Sequence, residues 1–304
     1  MCFGFRHSDF ELCPRFGLLN INKPAGITSR AVVNHVDRLV RPASSGHAGT
    51  LDPLARGVLV LCVGRATRLI EYIQRMPKTY VAKFLLGRTS KTEDVEGEVT
   101  QLDDPPQPTV SQIEQAAQGF LGQIEQRPPA FSALKVSGRR AYDLARAGEP
   151  VELAPRTIRV DRLDVVGYSY PELTLHIECG SGTYVRSLGR DLAESLGTGA
   201  VMLELMRTAI GDFRLDRACD LQQLTPETIA QQIQPATSAI GMLPRIELGE
   251  EDLRRISLGQ TIDAELPDGA DEVAALDSAG RLRAILVPRS QGGLRPRRNF
   301  PVAE

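Results

Sequence analysis

Residues 46–61 read Gly-His-Ala-Gly-Thr-Leu-Asp-Pro-Leu-Ala-Arg-Gly-Val-Leu-Val-Leu, and no other stretch constrains the chain as much. Glycines at 46, 49 and 57 surround a single carboxylate, Asp52, and Pro53 follows it. Proline keeps the residue before it extended. Glycine admits positive φ or a close backbone approach. An apolar run over 58–63 comes next. The pattern asks for a buried element that carries one acid on a stiff turn at the edge of a core, with no partner carboxylate nearby. An isolated Asp-Pro would only open a turn; the whole block gives this one its meaning.

At 304 residues the chain can bury a sizeable core and suggests one large unit with a smaller one. Its net charge is −2, so no global basic field exists to bind nucleic acid, although a local patch is allowed. The cysteines (Cys2, Cys13, Cys62, Cys179, Cys219) are odd in number and scattered, with no CxxC pair, and the four His are isolated. No metal site is therefore expected. Free thiols fit a reducing cytosol, so a cytoplasmic protein is expected. No apolar run has the length of a membrane span. Asp9 and Glu11 interrupt the first fifteen residues, so 1–16 reads as an extension and not as a secretory signal.

Residues 17–22 predict a short strand, 23–26 a turn, and Thr28 or Ser29 the cap of a helix over 30–40. A strand is expected at 58–63, a helix over 66–75, a strand at 79–86, a polar loop over 87–97 and a short strand from 97 to 102. A helix capped at 109–111 runs to about 120. Residues 127–150 differ: Arg127, Lys135, Arg139, Arg140 and Arg146 outnumber the acids, and 141–147 is helix-like. Paired strands are expected at 156–166 and 172–179, a helix over 183–196, and strands at 200–207 and 210–215. The 218–241 stretch reads as helical, and 248–304 as a small all-β unit with strands near 273–276 and 282–287.

The 46–61 block resembles motif II of the TruB-type pseudouridine synthases, Gly-His-x-Gly-x-Leu-Asp-Pro-x-Ala-x-Gly-Val-Leu, at every fixed position. Four further blocks resemble the same family. Asn20-Ile-Asn-Lys23-Pro24-x-Gly26-x-Thr28-Ser29 is similar to motif I; it is also an ordinary strand, turn and helix cap, in which Lys23 and Pro24 support a site without reacting. Lys78-Thr79-Tyr80 is similar to the family's Lys-x-Tyr, whose tyrosine stacks on the target base, where a lone strand tyrosine would be core. The loop after it keeps Gly87, Thr92, Asp94 and Gly97, with Lys91 where an acid is common. Gly180-Ser-Gly182-Thr183-Tyr184-Val185-Arg186-Ser187-Leu188 is similar to motif III; a phosphate-loop reading fails for want of Gly-Lys-Ser/Thr. Last, 199–213, with Leu205, Arg207, Gly211 and Phe213, is similar to a later block.

The resemblance covers most of 17–215 and implies an α+β pseudouridine synthase fold: a mixed, largely antiparallel sheet flanked by helices. It implies a catalytic domain over 17–245 with a thumb-like insertion at about 127–150, and a short β-rich PUA-like RNA-binding domain over 246–304, basic and free of acids from 281 to 298. A basic tail also serves as plain solubilising surface. The implied activity is isomerisation of uridine to pseudouridine at position 55 in the TΨC loop of tRNA. Asp52 is then the catalytic residue and Arg186 its partner cation, which an enclosed carboxylate needs to keep its charge. Tyr80 and Tyr184 shape the base pocket, and Leu205 is an apolar wall, a position equally suited to ordinary core. His47 assists base extrusion, and Lys135, Arg139 and Arg140 grip the RNA backbone. The reaction exchanges an N-glycosidic for a C-glycosidic bond at one sugar carbon with no net redox, so no cofactor is expected. A stand-alone monomer on tRNA is expected, without an obligate protein partner. Two alternatives are a guide-RNA-dependent synthase subunit and a tRNA-folding chaperone whose catalysis is secondary.

Overall fold

A computed structural model describes residues 16–132, 135–136, 139–140 and 153–300, with the backbone alone at 135–136 and 139–140. Its centre is a ten-stranded mixed sheet. Strand β1 (Gly17–Lys23) lies antiparallel to β3 (Arg56–Val63), with the short β2 (Ser45–His47) also on β3. The apolar run predicted at 58–63 is buried on both faces. Val58, Val60 and Cys62 enter one core cluster, while Leu59, Leu61 and Val63 enter another. That is why the sequence there does not alternate.

Helix α1 (Ser29–Leu39) covers the second of these clusters with Val32, Val33 and Val36. Thr28 caps it, its hydroxyl accepting from the Ala31 amide at 3.0 Å. Against the first cluster pack α2 (Ile70–Arg75), preceded by a 3-10 turn over 64–69, and the C-terminal unit.

The other half of the sheet is β4 (Lys78–Leu86), β10 (Arg156–Ser169), β11 (Glu172–Cys179) and β12 (Ala200–Ile210), with β7 (Gly122–Gln126) at its edge. Strand β4 alternates as its pattern requires, with Tyr80, Ala82, Phe84 and Leu86 inward. Onto this face pack α3 (Val110–Gln118), started by a Thr109/Gln112 capping box, and α4 (Val185–Ser195). Helix α4 sits so close that a Cβ at Gly189 would lie 2.0 Å from the Phe84 ring. The two halves join along β3 and β12, whose parallel ladder registers two residue pairs, Met206–Arg56 and Arg207–Gly57. The Asp52 turn immediately precedes β3 at this split.

Several expectations change. The loop over 87–97 contains β5 (Arg88–Ser90), which pairs with β6 (Val99–Gln101). The strand expected at 200–207 runs on to 210 as β12, whose register shifts twice against β4, and the one expected at 210–215 is the two-residue β13 (Phe213–Arg214), which folds back on the end of β12. From 218 to 241 the chain is not one helix. After β14 (Cys219–Asp220) come 3-10 turns and the four-residue α5 (Ile229–Gln232), because Pro226 and Pro235 interrupt any longer run. The basic segment forms β8 (Lys135–Val136) and β9 (Arg139–Arg140), a short antiparallel pair; the helix expected over 141–147 lies outside the described residues.

The C-terminal sheet is β15 (Arg245–Glu247), β16 (Val273–Leu276), β17 (Leu282–Pro288) and β18 (Leu294–Asn299). It is not all-β, since α6 (Glu250–Ser257) follows its first strand with three acids in its first turn. Ala274, Leu282, Ile285 and Phe300 share a cluster with Leu18 and Val58, so this unit is docked on the main sheet. Much of its basic charge is spent inside the chain. Arg281 and Arg283 pair with Asp277 at 2.9 and 3.3 Å, Arg298 with Glu71 at 2.6 Å, and Arg297 with Glu272. Among the described residues Arg289 and Arg295 make no ion pair.

Candidate active site

The peptide groups around Asp52 are locked one by one. The Ser29 hydroxyl accepts from the Leu51 amide at 2.9 Å and lies 3.0 Å from the Leu51 carbonyl, to which it donates. Gly26 N–H donates to the Pro53 carbonyl at 2.8 Å, and Ala55 N–H to the Asp52 carbonyl at 3.1 Å. Lys23 is fully buried, and its ammonium donates to Pro24 O at 2.9 Å, Ala55 O at 2.6 Å and Pro53 O at 3.3 Å. Burial pushes Lys23 down to about 8, with Asp52 opposing the shift and Arg207 adding to it. Lys23 thus meets the Asp52 turn directly, and the Pro24 carbonyl accepts from the same ammonium. Ser29→Ala would leave both polar groups of Leu51 unpaired. It is expected to cost about 1–3 kcal/mol of stability, read by denaturant unfolding, together with part of the activity.

From β12, Arg207 reaches under the same turn. It is 2 % exposed, and it donates from Nε to Val58 O at 2.7 Å and from Nη2 to Gly49 O at 3.0 Å. Gly57 must be glycine here: its φ is +101°, and a Cβ would lie 2.2 Å from the Arg207 carbonyl. Arg207 and Tyr80 are directly paired in the β12–β4 register. Burial raises the Tyr80 hydroxyl above its usual range, with Arg207 pulling the other way, so it stays protonated at neutral pH. Leu51, Tyr80, Val185 and Leu205 belong to one cluster, which brings Leu205 and Tyr80 together beneath the turn.

The Asp52 carboxylate is about one-third exposed and meets Arg186 Nε at 3.1 Å. The guanidinium is 7 % exposed and does more than one thing. Its Nη1 lies 3.4 Å from Asp94 and donates to Thr92 O at 2.6 Å, and its Nη2 donates to Phe131 O at 3.2 Å. The expectation that no partner carboxylate is nearby is therefore overturned. Asp94 is 4 % exposed and shares the cation. Thr92 Oγ1 donates to Asp94 Oδ1 at 2.6 Å, and the Glu96 amide does so at 3.1 Å. Glu96 is pushed up by its own burial and by the charges of Asp94 and Asp52. Asp94 stood in the quoted loop pattern, but its distance from Asp52 in the chain hid the shared arginine.

His47 is half-buried on β2, with Nδ1 buried and unpartnered among the described residues. Burial, Arg30 and Arg207 hold it below its usual range, so the ring is neutral. Tyr184, expected to shape the base pocket, stands at the start of α4, two residues before Arg186. It caps α4 in an extended conformation, and its ring lies 4.6 Å beneath the Arg156 guanidinium. Its peptide is held by Gln126, whose amide accepts from Tyr184 N at 2.8 Å and donates to Tyr184 O at 3.0 Å. The side chains of Lys135, Arg139 and Arg140 lie outside the described residues.

The described cysteines, Cys62, Cys179 and Cys219, are buried free thiols, and burial raises all three. Among the described residues no three His, Cys, Asp or Glu gather as a metal site. No helix among them is long and apolar enough to cross a membrane. What remains is a partly exposed carboxylate, Asp52, above an apolar floor, facing a buried cation that it shares with the buried Asp94. Such an arrangement can deliver a nucleophile or a fixed negative charge to a bound ring.

Residues 38–185 match the model of the TruB family pseudouridylate synthase N-terminal domain, and 186–243 that of the tRNA pseudouridylate synthase B C-terminal domain. Over 288 residues the chain is 39% identical to tRNA pseudouridine synthase B of Dehalococcoides mccartyi, covering 93% of this chain and 96% of that one. The chain belongs to the TruB family of pseudouridine synthases. Another TruB-family relative, tRNA pseudouridine synthase B of Arthrobacter sp., is 41% identical over 268 residues, 86% of this chain and 87% of its own. Among solved structures, a chain of a Cbf5-Nop10-Gar1 complex superposes with a TM-score of 0.75 at 26% identity, covering 96% of this chain and 87% of that one. A chain of an archaeal box H/ACA sRNP Nop10-Cbf5 complex shares the fold at a TM-score of 0.73 and 24% identity, covering 97% and 89%. The α+β pseudouridine synthase fold expected from the motifs is the fold observed, and the chain is an enzyme of this TruB family.

Proposed function

We propose that this chain isomerises uridine to pseudouridine at position 55 in the TΨC loop of tRNA, with Asp52 as the catalytic aspartate. It works in the cytoplasm as a single chain, without guide RNA, cofactor or obligate protein partner. The observation that carries the reading is the locked Asp52 turn. The Leu51 amide and carbonyl, the Asp52 and Pro53 carbonyls and both polar groups of the Ala55 backbone are hydrogen-bonded, and Arg186 faces the carboxylate at 3.1 Å. Identity near 40% to relatives named tRNA pseudouridine synthase B, against 24–26% to the Cbf5 chains, favours tRNA and a guide-free enzyme.

The target uridine leaves its stack to reach the carboxylate. Neutral His47 fills part of the space it vacates. Tyr80 receives the extruded ring, worth about 1–3 kcal/mol of stacking, with Leu205 behind it and Tyr184 at the rim. The bond from N1 of the base to C1′ of the ribose breaks, and the bond from C5 to C1′ forms. The C5 proton leaves, and N1 gains one. Asp52 serves as nucleophile or charge stabiliser toward sugar or base, and the balanced exchange calls for no electron carrier. Tyr80, held protonated, is a stacking surface and hydrogen-bond donor before it is a base.

The 127–150 segment acts as a thumb on the RNA, and the unit over 246–304 as a second contact through Arg289 and Arg295, the arginines left outside its ion pairs. Lys135→Ala with Arg139→Ala and Arg140→Ala is expected to weaken tRNA binding and to lower the slope of log K against log salt by about 0.7–0.9 per lost phosphate contact. Salt titrations superimposing on wild type would remove the segment from RNA binding. The proposed function itself is tested by incubating the pure protein with unmodified tRNA transcript, with nothing added, and mapping pseudouridine base by base. One modified base at position 55 is expected; an unmodified transcript that reacts only when a guide RNA is supplied would overturn it.

A further inference from the structure

Gln126 ends β7, Arg156 begins β10, and the two are direct partners in the ladder. The chain between them is the basic insertion, so they close its base. Both side chains turn to the same residue. Gln126 is fully buried and grips the peptide of Tyr184 through a donor and an acceptor at once. Among side chains of that length, only a carboxamide does both: a glutamate offers acceptors alone, and a leucine neither. Arg156 stacks its guanidinium on the Tyr184 ring at 4.6 Å and donates from Nη2 to the carbonyl of Gly182. Tyr184 is the cap of α4 and lacks any side-chain cap of its own, so Gln126 supplies a partner to an otherwise open helix N–H.

Two residues along the same helix stands Arg186. Further bonds lace this helix to the segment after Gln126: Arg186 to Phe131 O at 3.2 Å, and Arg190 to Arg127 O at 3.1 Å. The start of α4 is thus held from the β7–β10 edge on one side and by Asp52 and Asp94 on the other.

We propose that Gln126 and Arg156 are positioning residues for the isomerisation. They fix Tyr184 and the first turn of α4, and through it the Arg186 guanidinium that faces Asp52. This rests on the reading of Asp52 as the catalytic group. Neither side chain touches the reacting atoms; both act by keeping the arginine and the tyrosine in register with the Asp52 turn. A displacement of the order of 1 Å at such a site costs about a hundredfold in rate.

Gln126→Leu, Arg156→Ala and Arg156→Lys would be compared with wild type for single-turnover rate at saturating tRNA, tRNA affinity and thermal unfolding. Asp52→Asn would be run beside them. Gln126→Leu and Arg156→Ala are expected to lose about ten- to a hundredfold in single-turnover rate with affinity within about threefold of wild type. Arg156→Lys keeps a donor for Gly182 O but not the flat face over Tyr184, and is expected to lie between. Should Gln126→Leu fail to fold, the partly exposed Arg156 pair carries the test. Folded variants with wild-type rates, or a loss confined to affinity, would overturn the inference while Asp52→Asn remained inactive. Turnover by Asp52→Asn would instead overturn the catalytic reading beneath it.

Discussion

Asp52→Asn is expected to abolish pseudouridine formation and to leave tRNA binding within about threefold of wild type. The amide matches the carboxylate in shape, and the turn that carries it is held by Ser29, Gly26 and Lys23 through main-chain groups that the substitution does not touch. Only the negative charge and the nucleophile are lost, and both are what the exchange of glycosidic bonds requires. The Arg186 guanidinium stays paired through Asp94 and through the Thr92 and Phe131 carbonyls. The fold should therefore survive, and melting curves with binding isotherms would separate lost chemistry from lost structure.

Arg186→Ala is expected to do more damage than Asp52→Asn, because it reaches both activity and stability. The arginine is nearly buried and serves two carboxylates and two carbonyls. Of these, Asp94 is the costly one to abandon: it is almost fully buried, and stripping one partner from such a pair costs roughly 3–5 kcal/mol. Arg186→Lys keeps one charge but lacks the fork that spans Asp52, Asp94 and Phe131 at once. It is expected to retain most of the stability and a small part of the rate. Denaturant unfolding and single-turnover assays on both variants would check this. Equal, near-wild-type rates in the two would refute the pairing of Arg186 with Asp52.

The strands were legible wherever burial falls on one face, as in β4, or on both, as in β3, since each leaves its own period in the sequence. Helix caps were legible at Thr28 and Thr109 for the same local reason. The 218–241 stretch was misread because its apolar residues anchor separate short turns between prolines, a pattern that mimics helical spacing. At the site, the resemblance supplied Asp52 and Arg186, and geometry joins them. Asp94 and Arg207 were quoted without a role, because what they do depends on strands and loops far apart in the chain that meet only on folding. Gln126 carried no signal at all: a glutamine at a strand end looks like surface until the peptide it grips is placed over it. The C-terminal arginines show what charge counting along the chain leaves out. Their run is free of acids from 281 to 298, yet Glu71, Glu272 and Asp277, all before that run in the chain, pair with four of these arginines.

Transcribed tRNA carrying tritium at C5 of its uridines offers the most direct test of catalysis by Asp52, because making the new C5–C1′ bond expels that atom. With pure protein and neither guide RNA nor cofactor, wild type should release the tritium of a single uridine per tRNA. It should release none from a transcript with cytidine at position 55, and Asp52→Asn should release none from either. Tritium release by Asp52→Asn at a rate near wild type, from a preparation free of contaminating synthase, would contradict the central role of that carboxylate.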